Sequence, residues 1–503
     1  MILFCIDRER GSMNKSKIRV IVILGEILVI GILALVILLP GSSGSSADTD
    51  VKSKVKAAVK AGDAEYLADE DAGVASVEEE LAELERLEAE RLKREEEERL
   101  EAERLRLEEE EKAKAAAMSL GAEEEAALKA AMYDYDAAIE LLQGIPEYET
   151  RDDVKATVKE YEAARDKLVK WEDNTQISHL FVHSLIVDTA RAFRKGSSQP
   201  VGYNRYMTTV GEFKLILQSL YDKGYVLVSM HDIAERYVGE DGVEKLRKKP
   251  IYLPEGKTPF VLSQDDVNYY AYMDNDGFAD RLVIGDDGIP TCKYIEADGT
   301  VSYGEYDVLP IVDNFLKEHP DFSYRGAKGI LAVTGYEGAL GYDTGWHMYD
   351  LDNPEEAAKL KAEQDAAKAV ADAIKADGWE FASHSYTHTD MKTNSFDKVV
   401  YDTDKWEREV EPILGETDLY IYPFGSDICD WKGYKGDKYE YLKKAGFWYF
   451  CNVDASRYWI QITDNYMRMG RINADGERMM KTPQKLDYFF DSASILDKSR
   501  PAL

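Results

Sequence analysis

The chain has 503 residues, 45% of them hydrophobic and 11% aromatic, with a formal net charge of −33. That apolar content excludes a mostly disordered chain, and the length leaves room for one large domain with accessory segments. The negative charge excludes sequence-independent nucleic-acid binding, which needs a basic surface, and four cysteines are too few for a disulfide framework at this length.

Residues 20–39 read VIVILGEILVIGILALVILL, which as a helix spans about 30 Å, the thickness of a bilayer core. Arg8, Arg10, Lys15, Lys17 and Arg19 precede this run and Pro40 with a Gly/Ser stretch follows it. The positive-inside rule then predicts a cytoplasmic segment 1–19, a transmembrane anchor 20–39 and export of the remainder: a single-pass cell-membrane protein with an extracellular body. Glu26 opposes insertion by about 2–3 kcal/mol, which the other apolar residues outweigh. The run exceeds the length of a signal-peptide core and lacks an A-x-A site, so an uncleaved anchor is expected.

Residues 40–75 read as a flexible linker. Residues 76–120 are nearly all Glu, Arg, Leu, Lys and Ala and predict a charged helical stalk supported by i,i+4 ion pairs. Its leucines hold no strict heptad, which favours a solvated spacer of about 60 Å over self-association through a coiled coil. In 122–173 apolar residues recur at helical spacing over Glu123–Gln143 and Arg151–Trp171, with Gly144-Ile-Pro146 between, predicting a helical hairpin.

From 175 to 503 short apolar runs alternate with amphipathic stretches. Strands are predicted at His179–Asp188, Tyr225–Met230, Pro259–Ser263, Gly329–Val333, Trp379–Ser383, Leu419–Tyr422 and Phe447–Val453. Helices are predicted at Thr208–Tyr221, Val308–Glu318, Glu355–Ala376, Phe396–Leu414 and Tyr439–Ala445. This alternation argues for a parallel α/β fold, a barrel or a doubly wound sheet, with functional residues at the C-terminal ends of strands. Turns at Asp274–Gly277, Asp286–Gly288 and Asp298-Gly299 predict a β-hairpin insertion within Tyr270–Tyr306. Cys429 and Cys451 would pair only if neighbouring strand ends brought them together.

Three strands end in chemistry. Phe260-Val-Leu-Ser-Gln-Asp265-Asp266 leaves two carboxylates after a buried strand, costly unless something cationic meets them. Phe381-Ala-Ser-His384-Ser-Tyr-Thr-His388 sets two imidazoles four residues apart, a spacing that lets both reach one ion. Tyr422-Pro423-Phe424-Gly425 is a rigid turn with free backbone amides. Each pattern alone is ordinary; their order at successive strand ends is not.

Together they resemble the polysaccharide deacetylase family, carbohydrate esterase family four, built on the NodB-type fold. Asp265-Asp266 is similar to its T-F-D-D motif, His384–His388 to its H-[ST]-x-x-H motif and Tyr422–Gly425 to its third motif. Leu180-Phe-Val-His183-Ser-Leu resembles the opening strand and Met469-Gly-Arg471-Ile the closing one. The resemblance implies an α/β architecture, an irregular (β/α) barrel of about seven strands, over residues 175–503. It implies a divalent metal, zinc first, held by Asp266, His384 and His388. Asp265 would be the general base on the attacking water, the backbone amide of Phe424 would hold the oxyanion, and His183 would protonate the leaving amine. Tyr422, Pro423, Tyr270 and Trp346 are expected to contact substrate, aromatic faces being suited to sugar rings. In this sequence Ile421 stands where the family has an arginine, which predicts that Asp265 lacks its orienting partner. The expected activity is metal-dependent hydrolysis of N-acetyl groups on an extracellular polysaccharide, peptidoglycan or another N-acetylglucosamine polymer. An O-acetyl esterase acting on a polymer such as xylan, or a weakened glycan-binding surface protein, are the alternatives.

Overall fold

A computed structural model of the protein describes residues 71–503, which fall into two compact units divided after Glu108. The anchor predicted at 20–39 lies outside the described residues. Among those described, no helix is long and apolar enough to cross a membrane.

Helix α1, Asp71–Ala131, runs through the border predicted near residue 120 between stalk and hairpin. In the first unit its leucines, including Leu84, Leu87, Leu92 and Leu100, are exposed. Ion pairs one turn apart, such as Arg86–Glu83 at 2.7 Å and Arg91–Glu95 at 3.1 Å, support the helix instead. Each is worth only about 0.3–0.5 kcal/mol.

In the second unit α1 stops at Ala131, where the sequence predicts a helix continuing to Gln143. Tyr133 turns left-handed (φ 65°), and the N–H of Asp134 reaches back to Lys129 while that of Tyr133 reaches Ala130. This is a Schellman ending with tyrosine where glycine is usual. The Tyr133 hydroxyl donates to the carbonyl of Asp321 at 2.8 Å, which anchors the irregular residue. Helices α2 (Tyr135–Gln143) and α3 (Asp152–Arg165) then close a small core of Ala126, Ala138, Leu142, Val154 and Val158.

Seven parallel strands form a closed barrel: β1 (Ser178–Val182), β2 (Thr258–Gln264), β3 (Ile330–Val333), β4 (Glu380–Ser383), β5 (Leu419–Ile421), β6 (Tyr449–Val453) and β7 (Met467–Asn473). Each pairs with its successor, and β7 returns to β1. Chain order is therefore ring order, as right-handed crossovers between neighbouring parallel strands require. Tyr225–Leu227 is a strand as predicted, but it pairs with the start of β2 outside the ring. The seventh stave is β7. Helices α4 (Val210–Asp222), α5 (Val308–Glu318), α6 (Pro354–Ala376), α7 (Phe396–Glu409) and α8 (Asp437–Lys444) connect the strands. The helix predicted over Phe396–Leu414 breaks at Val410, where Pro412 can start the short turn Glu411–Leu414 but cannot continue α7.

The insertion is a three-stranded antiparallel sheet of Arg281–Ile284, Pro290–Ile295 and Val301–Gly304. Its tight turns fall at Gly285–Gly288 and Glu296–Gly299. Asp274–Gly277 is no hairpin: the buried Asp276 carboxylate accepts from the N–H of Ser198 and the hydroxyl of Tyr203. Near the chain's far end, buried Arg500 pairs with Glu212 at 2.6 Å and donates to the carbonyls of Asn204 and Met207. Cys429 and Cys451 are both free thiols. Cys451 points into the barrel against His179 and Met230.

Candidate metal centre

All three motif loops leave the same end of the barrel. Asp266 follows β2, His384 and His388 follow β4, and the Tyr422–Gly425 turn follows β5. One ligand atom from each of Asp266, His384 and His388 lies within 4.8 Å of the others. Nε2 of His384 is 4.0 Å from Oδ1 of Asp266, and Nε2 of His388 is 3.9 Å from Oδ2.

The surroundings settle how these groups present themselves. Nδ1–H of buried His384 donates to the carbonyl of Ile421 at 2.8 Å, which orients the ring with Nε2 toward Asp266. Burial pulls the His388 imidazole down to about 4 against the opposing charge of Asp266, so it is neutral near pH 7. Two imidazoles and one carboxylate, with ligand atoms within 4.8 Å of one another, are a donor set that suits a divalent metal of the zinc type. The residues fit the expected ion.

The two histidines sit on a compact loop, not a helical turn. Asp402 of α7, wholly buried, accepts from the backbone N–H of Tyr386 (2.6 Å), the backbone N–H of Thr387 (3.0 Å) and the Thr387 hydroxyl (2.5 Å). The hydroxyl of Ser385 accepts from the N–H of Thr389 at 2.8 Å. Four non-glycine residues around the centre have left-handed backbone: Asp266 (φ 57°), Ser385 (φ 56°), His388 (φ 50°) and Phe424 (φ 59°). Such conformations cost about 1–3 kcal/mol each and persist where the surroundings fix them.

Asp265 does not lack a partner, contrary to the reading of Ile421. Arg471 of β7, with no exposed surface, grips both its oxygens at 2.5 and 2.9 Å. The guanidinium also donates to the hydroxyl of Ser263 and lies 4.2 Å from the Phe181 ring centre. Burial pushes the Asp265 carboxyl up, but Arg471 overcomes this and holds it well below the usual carboxylate range. The arginine missing from one strand is supplied by another. Arg471 stood in the closing-strand resemblance, yet nothing in a linear reading ties it to a residue 206 positions earlier.

Other candidates sort unevenly. His183, at the end of β1, is half-buried, donates Nδ1–H to the carbonyl of Tyr206 at 3.1 Å, and lies within electrostatic reach of Asp265 and Asp475. Phe424 is 71% exposed and its ring packs edge-on to His388, the centres 4.4 Å apart. Tyr422 was expected on substrate, but it has no exposed surface and its hydroxyl accepts from Tyr434 inside the core. Pro423 is buried too. Tyr270, also expected on substrate, is 3% exposed, and its hydroxyl donates to Oδ1 of Asp266 at 2.7 Å. Trp346 is half-buried in the loop after β3, under the guanidinium of Arg408, with no protein acceptor for its indole N–H. Linear reading missed Arg471 and Asp402. The second left a trace, an acid on the face of α7 that also carries Val399 and Trp406.

The family model described as polysaccharide deacetylase matches residues 353–450. Among solved structures, the Streptococcus pyogenes deacetylase PplD in complex with acetate is 14% identical and is similar over 63% of this chain and 98% of its own, with a TM-score of 0.30. A Mycobacterium smegmatis protein assigned to the polysaccharide deacetylases is 14% identical over 33% of this chain and 45% of its own, with a TM-score of 0.20. No curated protein matches the chain. The matched segment holds the histidine pair and the turn after β5, and the barrel delivers to them a carboxylate pair from a strand the match does not reach. Residues 353–450 thus resemble the polysaccharide deacetylases, and the structure sets their histidine pair in one cluster with Asp266.

Proposed function

We propose that this deacetylase is a metal-dependent, extracellular enzyme that hydrolyses N-acetyl groups on an N-acetylglucosamine polymer such as peptidoglycan, and that the apolar run 20–39 anchors it in the cell membrane. The observation that carries the reading is the Asp266–His384–His388 cluster with the ionised, arginine-held Asp265 beside it. A bound zinc ion would polarise the acetyl carbonyl and acidify a water molecule at the site. Asp265 takes the proton of the attacking water, its ionised form secured by Arg471. The backbone N–H of Phe424, a residue of left-handed conformation, would hold the developing oxyanion. His183, oriented through Nδ1 by the Tyr206 carbonyl, presents Nε2 to the leaving nitrogen. Exposed Trp431, packed edge-on against Trp459 in the loop beyond the β5 turn, offers a face for the next sugar ring.

Purified residues 71–503 with added zinc should release acetate from N-acetylglucosamine oligomers, and chelation should abolish the release. Release confined to O-acetylated xylan would transfer the reading to an esterase. Sugar binding without turnover under every metal tried would leave a glycan-binding protein.

A further inference from the structure

Behind Asp266 lies a chain of hydrogen bonds that the reaction itself does not use. The Tyr270 hydroxyl donates to Oδ1 of Asp266 at 2.7 Å and is 2.9 Å from the hydroxyl of Thr334. With the phenol's single hydrogen committed to the carboxylate, the Thr334 hydroxyl donates to Tyr270. Thr334 follows β3 and is itself fixed: its N–H donates to the side-chain oxygen of Asn268, whose amide donates back to the Thr334 carbonyl, both at 3.0 Å. Asn268 and Thr334 have no exposed surface. The Tyr270 ring stacks on Tyr272 and Tyr336, at 5.5 and 5.2 Å between centres, so it cannot swing away.

We propose that Tyr270 is a positioning residue of the metal centre: its hydroxyl holds Oδ1 of Asp266 and so fixes the carboxylate against the imidazoles of His384 and His388, in the orientation in which it would bind the ion. This rests on the proposed metal-dependent reading of the same site. Asp266 itself has a left-handed backbone (φ 57°), a conformation that persists where surrounding contacts fix it. Oδ2 is the oxygen 3.9 Å from Nε2 of His388, and Oδ1, which accepts from Tyr270, lies 4.0 Å from Nε2 of His384. Outer hydrogen bonds of this kind set ligand orientation in metal sites, and their loss commonly weakens metal binding about 10–100-fold.

The test uses the metal-free full-length protein, parent, Tyr270→Phe, Thr334→Val, Tyr272→Phe and His384→Ala, titrated with zinc against a chelating dye. Cobalt(II) is added separately to record its visible spectrum, and the unfolding temperature of each metal-free protein is measured. Tyr270→Phe should weaken zinc binding by about 10–100-fold and shift the cobalt bands. Thr334→Val should act in the same direction by a smaller factor, and Tyr272→Phe, which removes an equivalent hydroxyl from the same stack, should leave zinc affinity unchanged. A Tyr270→Phe protein that unfolds earlier but binds zinc and colours cobalt as the parent does would overturn the proposal, leaving a packing role only. If Tyr270→Phe fails to fold, unaltered affinity and spectrum in Thr334→Val overturn it instead. A parent that binds no more zinc than His384→Ala would remove the metal reading and this inference together.

Discussion

Arg471 and Asp265 form a closed pair inside the barrel, and breaking it from either side is costly in different ways. Arg471→Met leaves a buried carboxylate with no counter-charge, which should cost about 3–5 kcal/mol in chemical denaturation and abolish acetate release. The double variant Arg471→Met/Asp265→Asn removes that stranded charge and should regain much of the stability without regaining turnover. Phe424→Ala, by contrast, keeps the backbone N–H and should change kcat by less than about tenfold, against the 10²–10³-fold cost of deleting an oxyanion donor. The contrast marks what a linear sequence discloses. The Asp266–His384–His388 cluster was legible because its members lie in short motifs at strand ends. Arg471 and Tyr270 act through neighbours across the ring, and the pairing of β7 with β1 that brings Arg471 to Asp265 has no counterpart in local spacing. The same limit misassigned Tyr422: alternation along β5 cannot tell which face of a strand meets the core once both sides are covered.

Among the elements, α7 does more than cover the barrel. Its Asp402 gathers three donors from the histidine loop, so Asp402→Ala should lower metal content on purification and cost about 3 kcal/mol or more through unpaired buried donors. At the opposite end of the barrel, His231 is clamped between Glu380, which starts β4, and Asp418, just before β5, at 2.5 and 2.9 Å. Burial opposes its charge, but the two carboxylates prevail and lift it to about 10. A histidine raised in this way stabilises fully below its unfolded value of about 6.5, and the contribution fades as pH climbs towards 10. The stability gap between parent and His231→Gln should accordingly be widest near pH 6 and shrink by pH 10, as urea titrations across that range will register. Element boundaries were read well where periodicity was strong, as for α5 and β3. They failed where one residue overrode it, Tyr133 ending α1 and Pro412 ending α7.

For the molecule as a whole, the unit from Glu109 onward contains the hairpin, the barrel and every residue of the centre. Removing residues before Lys112 should therefore leave the unfolding temperature and zinc affinity indistinguishable from those of the longer protein. The ring order was within reach of a linear reading because successive strands are neighbours, whereas closure was reached only through the family resemblance, which gave Met469–Ile472 as the closing strand; apolar runs alone offered Tyr225–Met230 as the seventh stave in place of Met467–Asn473. Arg500 adds a practical point. Its guanidinium holds the carbonyls on either side of Tyr206, the residue whose own carbonyl seats His183. A nick after Asp497 should thus slacken the backbone that seats His183, the proposed proton donor, with the expected outcome of weaker acetate release at unchanged zinc affinity. Preparations handled with proteases, or fused too tightly at that end, should be checked by intact mass before any weak turnover is blamed on substrate.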